Sequence, residues 1–235
     1  MSTAFESAVS NRARLDRRRY RLGWRLFTGA SAWARLALLV GAAIALTSSA
    51  VFAQAIETGI WAIAATVLQW FAAVAAGGIL YANLPVWISR GCTRREITVA
   101  YAVFGALTAI ALTAFTTAGF AAEHALLTLT GDAPRSWGET LGLGARYLAI
   151  TPIYFFTGTF IGVVAARFGG RTWFTVAVLF GAAGLYAGVL GLEFGSLGGE
   201  WHLAAWAGTA LAVTAVLIAA YVLALRSLPV SAKRA

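Results

Sequence analysis

Six stretches of the chain run for 20 residues or more without an Asp, Glu, Lys or Arg: Leu36–Ile56, Thr58–Ser89, Ile97–Ala122, Tyr147–Ala166, Thr172–Leu192 and Trp201–Leu225. Each is continuously apolar. A helix needs about 20 apolar residues to cross a hydrocarbon core of roughly 30 Å. The longest stretch, 32 residues, is too short for two crossings and a turn. Membrane-spanning strands would instead show alternating segments of about ten residues. The pattern predicts an all-α integral membrane protein, a bundle of six transmembrane helices. The expected spans are about 33–54, 60–86, 97–122, 143–166, 172–192 and 203–225. They form one domain over 33–226, with a basic segment 1–32 before it and a tail 227–235 after it.

The leading segment has its own periodicity. Leu15, Leu22, Leu26 and Trp33 recur at helical spacing, and seven arginines occupy the remaining surface. An amphipathic helix of this kind lies in the membrane interface, with its arginines near anionic headgroups. The segment is too long and too polar to be a cleavable signal peptide. Pro85, near the end of the second span, removes a backbone donor and predicts a bend or stop there. Glu123 and His124 follow the third span and are expected above the bilayer.

Charge then orients the bundle. Of the 18 Lys and Arg, all but Arg135 and Arg146 fall before the first span, between the second and third, between the fourth and fifth, or after the sixth. The positive-inside rule puts both termini in the cytoplasm. A net charge of +9 suggests nucleic acid, but the charge is distributed to one side of the spans, so no nucleic-acid partner is expected. With 11% charged and 60% hydrophobic residues, a soluble enzyme is excluded. Cys92 is the only cysteine, so no internal disulfide is possible.

Catalytic chemistry finds little support. The only lysine is Lys233, and no G-x-x-x-x-G-K-[ST] occurs, so the chain is not itself a P-loop ATPase. His124 and His202 are the only histidines and form no H-E-x-x-H, so no metal site is expected. No G-x-S-x-G is present. No catalytic residue and no cofactor are assigned to this chain. The missing charges within the spans also speak against a proton- or sodium-coupled carrier. The pairs Gly158/Gly162 and Gly184/Gly188 are spaced for close helix packing, within the chain or between copies. Gln69, Asn83, Thr113 and Thr116 are the polar groups best placed to line a substrate path, and hydrogen bonds between helices explain them equally well. The flanking Trp and Tyr residues make an aromatic belt in contact with membrane lipids.

The connection between the second and third spans is the most distinctive segment: Ser89-Arg90-Gly91-Cys92-Thr93-Arg94-Arg95-Glu96. Gly91 permits a sharp turn. Thr93 and Glu96 have the spacing of a capping box. Arg94 and Arg95 then project as directional donors for a soluble partner, or serve only as topology arginines. This stretch resembles the Gly-x-(Ser/Thr)-Arg-Arg turn of bacterial ABC-2-type transporter permeases. The layout of six spans with both termini inside is similar too. The resemblance implies a permease subunit of an ABC exporter in a bacterial cytoplasmic membrane. It implies a coupling helix, formed by Arg90, Gly91, Thr93, Arg94, Arg95 and Glu96, seated on a separate ATP-binding subunit. It also implies a second permease copy, a homodimer in preference to a heterodimer, with ATP and Mg held by the partner ATPase. A non-transporting scaffold and a stand-alone secondary carrier are the alternatives.

Overall fold

In the computed structural model the described residues are 2–52, 60–130, 136–194 and 203–228, with side chains described from Arg19 onward. They form six helices: α1 Ser2–Phe52, α2 Ile60–Ser89, α3 Arg94–Thr130, α4 Trp137–Phe168, α5 Thr172–Phe194 and α6 Leu203–Ser227. All six are long and apolar enough to cross a membrane. The connections at 53–59, 131–135 and 195–202 and the tail 229–235 lie outside the described residues, as do the side chains of the leucine and arginine pattern before Arg19.

Helix α4 is the axis of the bundle. It packs on α2, α3 and α6, and its middle turns, Ile153 to Thr159, are buried on every side. The α2–α4 contact is the tightest. Gly158 lies against the backbone of Ala73, and Gly77 fits between Gly158 and Gly162, so a β-carbon at any of the three glycines would overlap the opposing main chain. Small residues allow this approach, and dispersion and close packing hold helices together where lipid offers no hydrophobic driving force. Similar accommodation recurs elsewhere: Gly144 on Thr117, Gly105 beneath Phe155, Gly119 under the Trp61 indole, and Gly23 on Ala100 and Val103.

These contacts fix register. Gly23 beside Ala100, and Ser49 beside Glu123, make α1 and α3 parallel neighbours. Arg146 over Trp206, and Arg167 on Ser227, do the same for α4 and α6. Trp61 on Thr116 and Gly119, with Trp87 on Tyr101, sets α2 antiparallel to α3. One end of the bundle therefore gathers Arg90, Arg94, Arg95, Arg167, Arg171 and Arg226, and is called the basic end. Glu123, Trp61 and Trp137 mark the far end. Helix α5 touches little beyond α4, and its one buried described side chain is Val189.

Three expectations change. The segment 1–32, expected as a helix set apart from the first span, runs without a break into it as α1. No proline interrupts α1, and Gly23 is packed on α3. Pro85 does not stop α2, which continues to Ser89. The residues expected to form a coupling helix make the α2–α3 turn and the first turn of α3, with no separate short helix between them.

The four expected packing glycines divide. Gly158 and Gly162 sit in the α2–α4 crossing, whereas Gly184 and Gly188 have open space around them. Gly158→Val is expected to destabilise the chain by about 1–3 kcal/mol through overpacking. Gly184→Val should stay within about 0.5 kcal/mol of the parent. Thermal unfolding of the purified chain in detergent measures both.

Candidate functional site

The turn at the basic end is rigid at both joints. Gly91 has φ of 74°, a left-handed conformation that favours glycine. Cys92 N–H donates to the Trp87 carbonyl at 2.9 Å and Gly91 N–H to that of Ile88 at 3.0 Å, the two bonds of a Schellman motif closing α2. Only Cys92 and Thr93 separate this turn from α3. The Glu96 carboxylate accepts from Thr93 N–H at 2.8 Å and from the Thr93 hydroxyl at 3.1 Å. Glu96 N–H donates back to the Thr93 hydroxyl at 3.2 Å, completing the capping box.

Within this motif the arginines have different roles. Arg94 turns inward: its guanidinium donates to the carbonyls of Arg226 and, at 2.5 Å, Leu228. Arg167 of α4 donates to the Ser227 hydroxyl at 3.0 Å and its carbonyl at 3.3 Å. Two cations thus close the C-terminal end of α6, where unpaired carbonyls and the helix dipole favour positive charge. Arg94 is occupied by its own chain. Arg90 and Arg95 are exposed.

At the far end, Glu123 does not project above the bundle. It is 6% exposed, and its carboxylate accepts from the Ser49 hydroxyl of α1 and, at 3.0 Å, from Trp61 N–H. Trp61 lies in the first turn of α2, so a carboxylate meets one of the donors a helix start leaves unpaired. The Trp61 indole N–H donates to the Thr116 carbonyl at 2.9 Å. Three helices are joined around one carboxyl group. His124, also buried, lies 3.4 Å from the Thr140 hydroxyl and meets the Trp137 ring edge-on at 4.3 Å. Ser136 and Glu139 form a second capping box at the start of α4. That spacing was readable in the sequence and was missed.

Between the two ends, the four path residues separate. Gln69 is wholly buried, and neither polar atom of its amide has a hydrogen-bond partner among the described residues. Thr116 is buried and Thr113 half-buried, with both hydroxyls likewise unpartnered. The α2–α3 register brings these three onto neighbouring turns. Asn83 stands apart near the basic end, donating to the Ile79 carbonyl of its own helix at 2.9 Å.

Two further features were not foreseen. An apolar cavity of about 650 Å³ lies between α1, α2 and α3 and reaches Phe155 of α4. Trp33 of α1 and Phe71 of α2 stack at its edge, their centroids 5.7 Å apart and their planes 9° from parallel. Arg35 is exposed on α1, and it stands 12 residues on from Gly23, as Leu112 does from Ala100. That level is the middle of the charge-free stretch of α3. The apolar part of α1 that can span therefore starts before Arg35, which stands level with the middle of α3.

The chain matches no family model, no curated protein and no solved structure.

Glu123→Ala would strand the Trp61 and Ser49 donors and is expected to cost about 1–3 kcal/mol. Glu123→Gln, which keeps an acceptor oxygen, should lose less; melting temperatures in detergent rank the two. Gln69→Leu removes an unsatisfied buried amide and should stabilise the chain by about 1–3 kcal/mol. Denaturant unfolding reads that change, and a loss of stability would show that the amide is held by a partner.

Proposed function

We propose that the chain is the membrane subunit of an ABC transporter, a permease that moves its substrate across a bacterial cytoplasmic membrane. Its basic end and both termini face the cytoplasm. A separate ATP-binding subunit docks there and holds the ATP and Mg. A second permease copy completes the transporter.

One observation carries this reading: the α2–α3 turn is capped on both sides, and the two helices it joins both line the apolar cavity. Displacement of such a turn by a docked partner moves both helices together and changes the cavity between them. Arg90 and Arg95 are the exposed donors for that contact, while Arg94 maintains the turn against the end of α6. Gly91, Thr93 and Glu96 keep the turn's shape. Only conformations with different affinity for the substrate can drive transport, so the cavity must change between states.

Affinity purification of the tagged chain from its native membrane, followed by mass spectrometry, tests the proposal. A soluble P-loop ATPase should copurify at about one per copy. Arg90→Glu with Arg95→Glu should weaken that association about tenfold or more while leaving the bundle folded. Absence of an ATPase, under conditions that preserve other membrane complexes, would overturn the reading.

A second reading rests on Arg35, level with the middle of α3. An ionisable group at the middle of a span is a mark of stand-alone secondary carriers. Transport by the purified chain in vesicles without ATP would establish that reading, and absence of both transport and ATPase would leave a scaffold.

A further inference from the structure

The cavity between α1, α2 and α3 has walls that are almost wholly apolar, with Ser31 and Thr108 as its only polar side chains. Its volume is in the range of small-molecule sites. Along α1 it extends from Phe27 to Leu38, about 16 Å at the helical rise, a length suited to an extended hydrocarbon chain. It opens sideways between α1 and α2. Gly29 and Gly78 line it from opposite sides, are both exposed, and have nothing within 4 Å of the place a β-carbon would take. Space is left open here by two missing side chains.

What stands at the basic end of this opening determines the occupant. Arg21, Arg25, Gly29 and Trp33 follow one another at steps of four, so the two arginines continue the α1 stripe that borders the cavity. Both arginines are exposed. Tyr20 and Trp24, 51% and 56% exposed, flank them. Aromatic side chains of this kind sit at headgroup level. The α1–α3 register agrees: Gly23 is beside Ala100, near the start of the charge-free stretch, and the cavity spans the level of Phe104 to Phe115. The site thus offers cations at headgroup depth and an apolar slot directly below them.

We infer that this cavity holds one acyl chain of an anionic phospholipid from the leaflet at the basic end, with Arg21 and Arg25 binding its headgroup. The Trp33–Phe71 stack closes over the inserted chain. Neither the ATPase partner nor the direction of transport enters this inference.

The test uses the full chain reconstituted in phosphatidylcholine vesicles with a trace of phosphatidylglycerol carrying a diazirine in its acyl chain. After illumination, peptide mass spectrometry locates the label. It should concentrate on α1 between Phe27 and Leu38 and on α2 between Leu68 and Ile79. Gly78→Leu and Gly29→Leu, each filling open space, should reduce that labelling about tenfold or more. Gly181→Leu, in open space on α5, should leave it unchanged. Arg21→Glu with Arg25→Glu should lower it about tenfold to thirtyfold. The equivalent phosphatidylcholine probe should label weakly and ignore the arginine change. Circular dichroism confirms that each variant is folded, and the two glycine variants act independently should one fail.

Labelling spread evenly over the lipid-facing helices, or unaffected by both glycine variants, overturns the inference. Equal labelling by the two headgroups overturns it as well. So does a photo-crosslinking amino acid at Gly78 that captures a second protein chain instead of lipid.

Discussion

The backbone contact between α2 and α4 is the constraint on which the other contacts depend. Gly77, Gly158 and Gly162 bring two main chains together without intervening side chains, and α4 thereby becomes the central helix. With α4 in place, Gly144 of α4 meets Thr117 of α3, Gly105 of α3 takes Phe155 of α4, and Arg146 and Arg167 reach the two ends of α6. A membrane interior gives helices no hydrophobic reason to associate, so such geometric fit has to supply it. Helix α5, whose glycines at 181, 184 and 188 face open space, shows the converse and remains at the margin.

Polar groups reinforce this packing at the two ends of the bundle. Glu123 joins α1, α2 and α3 at the far end, and Arg94 and Arg167 secure α6 at the basic end. Both arrangements place a charge where a helix terminus presents unpaired backbone groups of opposite polarity. The middle of the bundle has no such fastening. There Gln69, Thr113 and Thr116 have side-chain polar atoms without partners among the described residues, and the apolar cavity lies open. The structure is firm at its ends and least committed between them.

The sequence revealed whatever depends on neighbouring residues or on the cost of charge in hydrocarbon. Six spans could be read because an unpaired charge is rare at that depth, and the Thr93–Glu96 box because capping is a three-residue relation. Contacts between distant residues escaped it. Arg94 looked free because its acceptors, Arg226 and Leu228, lie at the other end of the chain. Glu123 looked like the end of a span because Ser49 and Trp61 are far from it in sequence. Arg35 looked peripheral because only the packing of Gly23 on α3 reveals how early the first span begins. The glycine pattern was read along single helices, so Gly158 and Gly162 stood out while Gly77, their counterpart on α2, did not.

The attachment of α1 at both ends has a kinetic consequence. Gly23 is seated on α3 at one point and Ser49 is bonded to Glu123 at another, so α1 cannot swing away as a rigid rod without breaking one of them. The cavity is already open at Gly29 and Gly78, and wider access needs only the exposed Trp33 ring to turn off Phe71. Exposed side chains change rotamer in picoseconds to nanoseconds, whereas collective helix motions take microseconds to milliseconds. Opening at this edge is therefore fast compared with any rearrangement of the bundle, and the residence time of an occupant is set by how well it fits, not by how often the entrance opens.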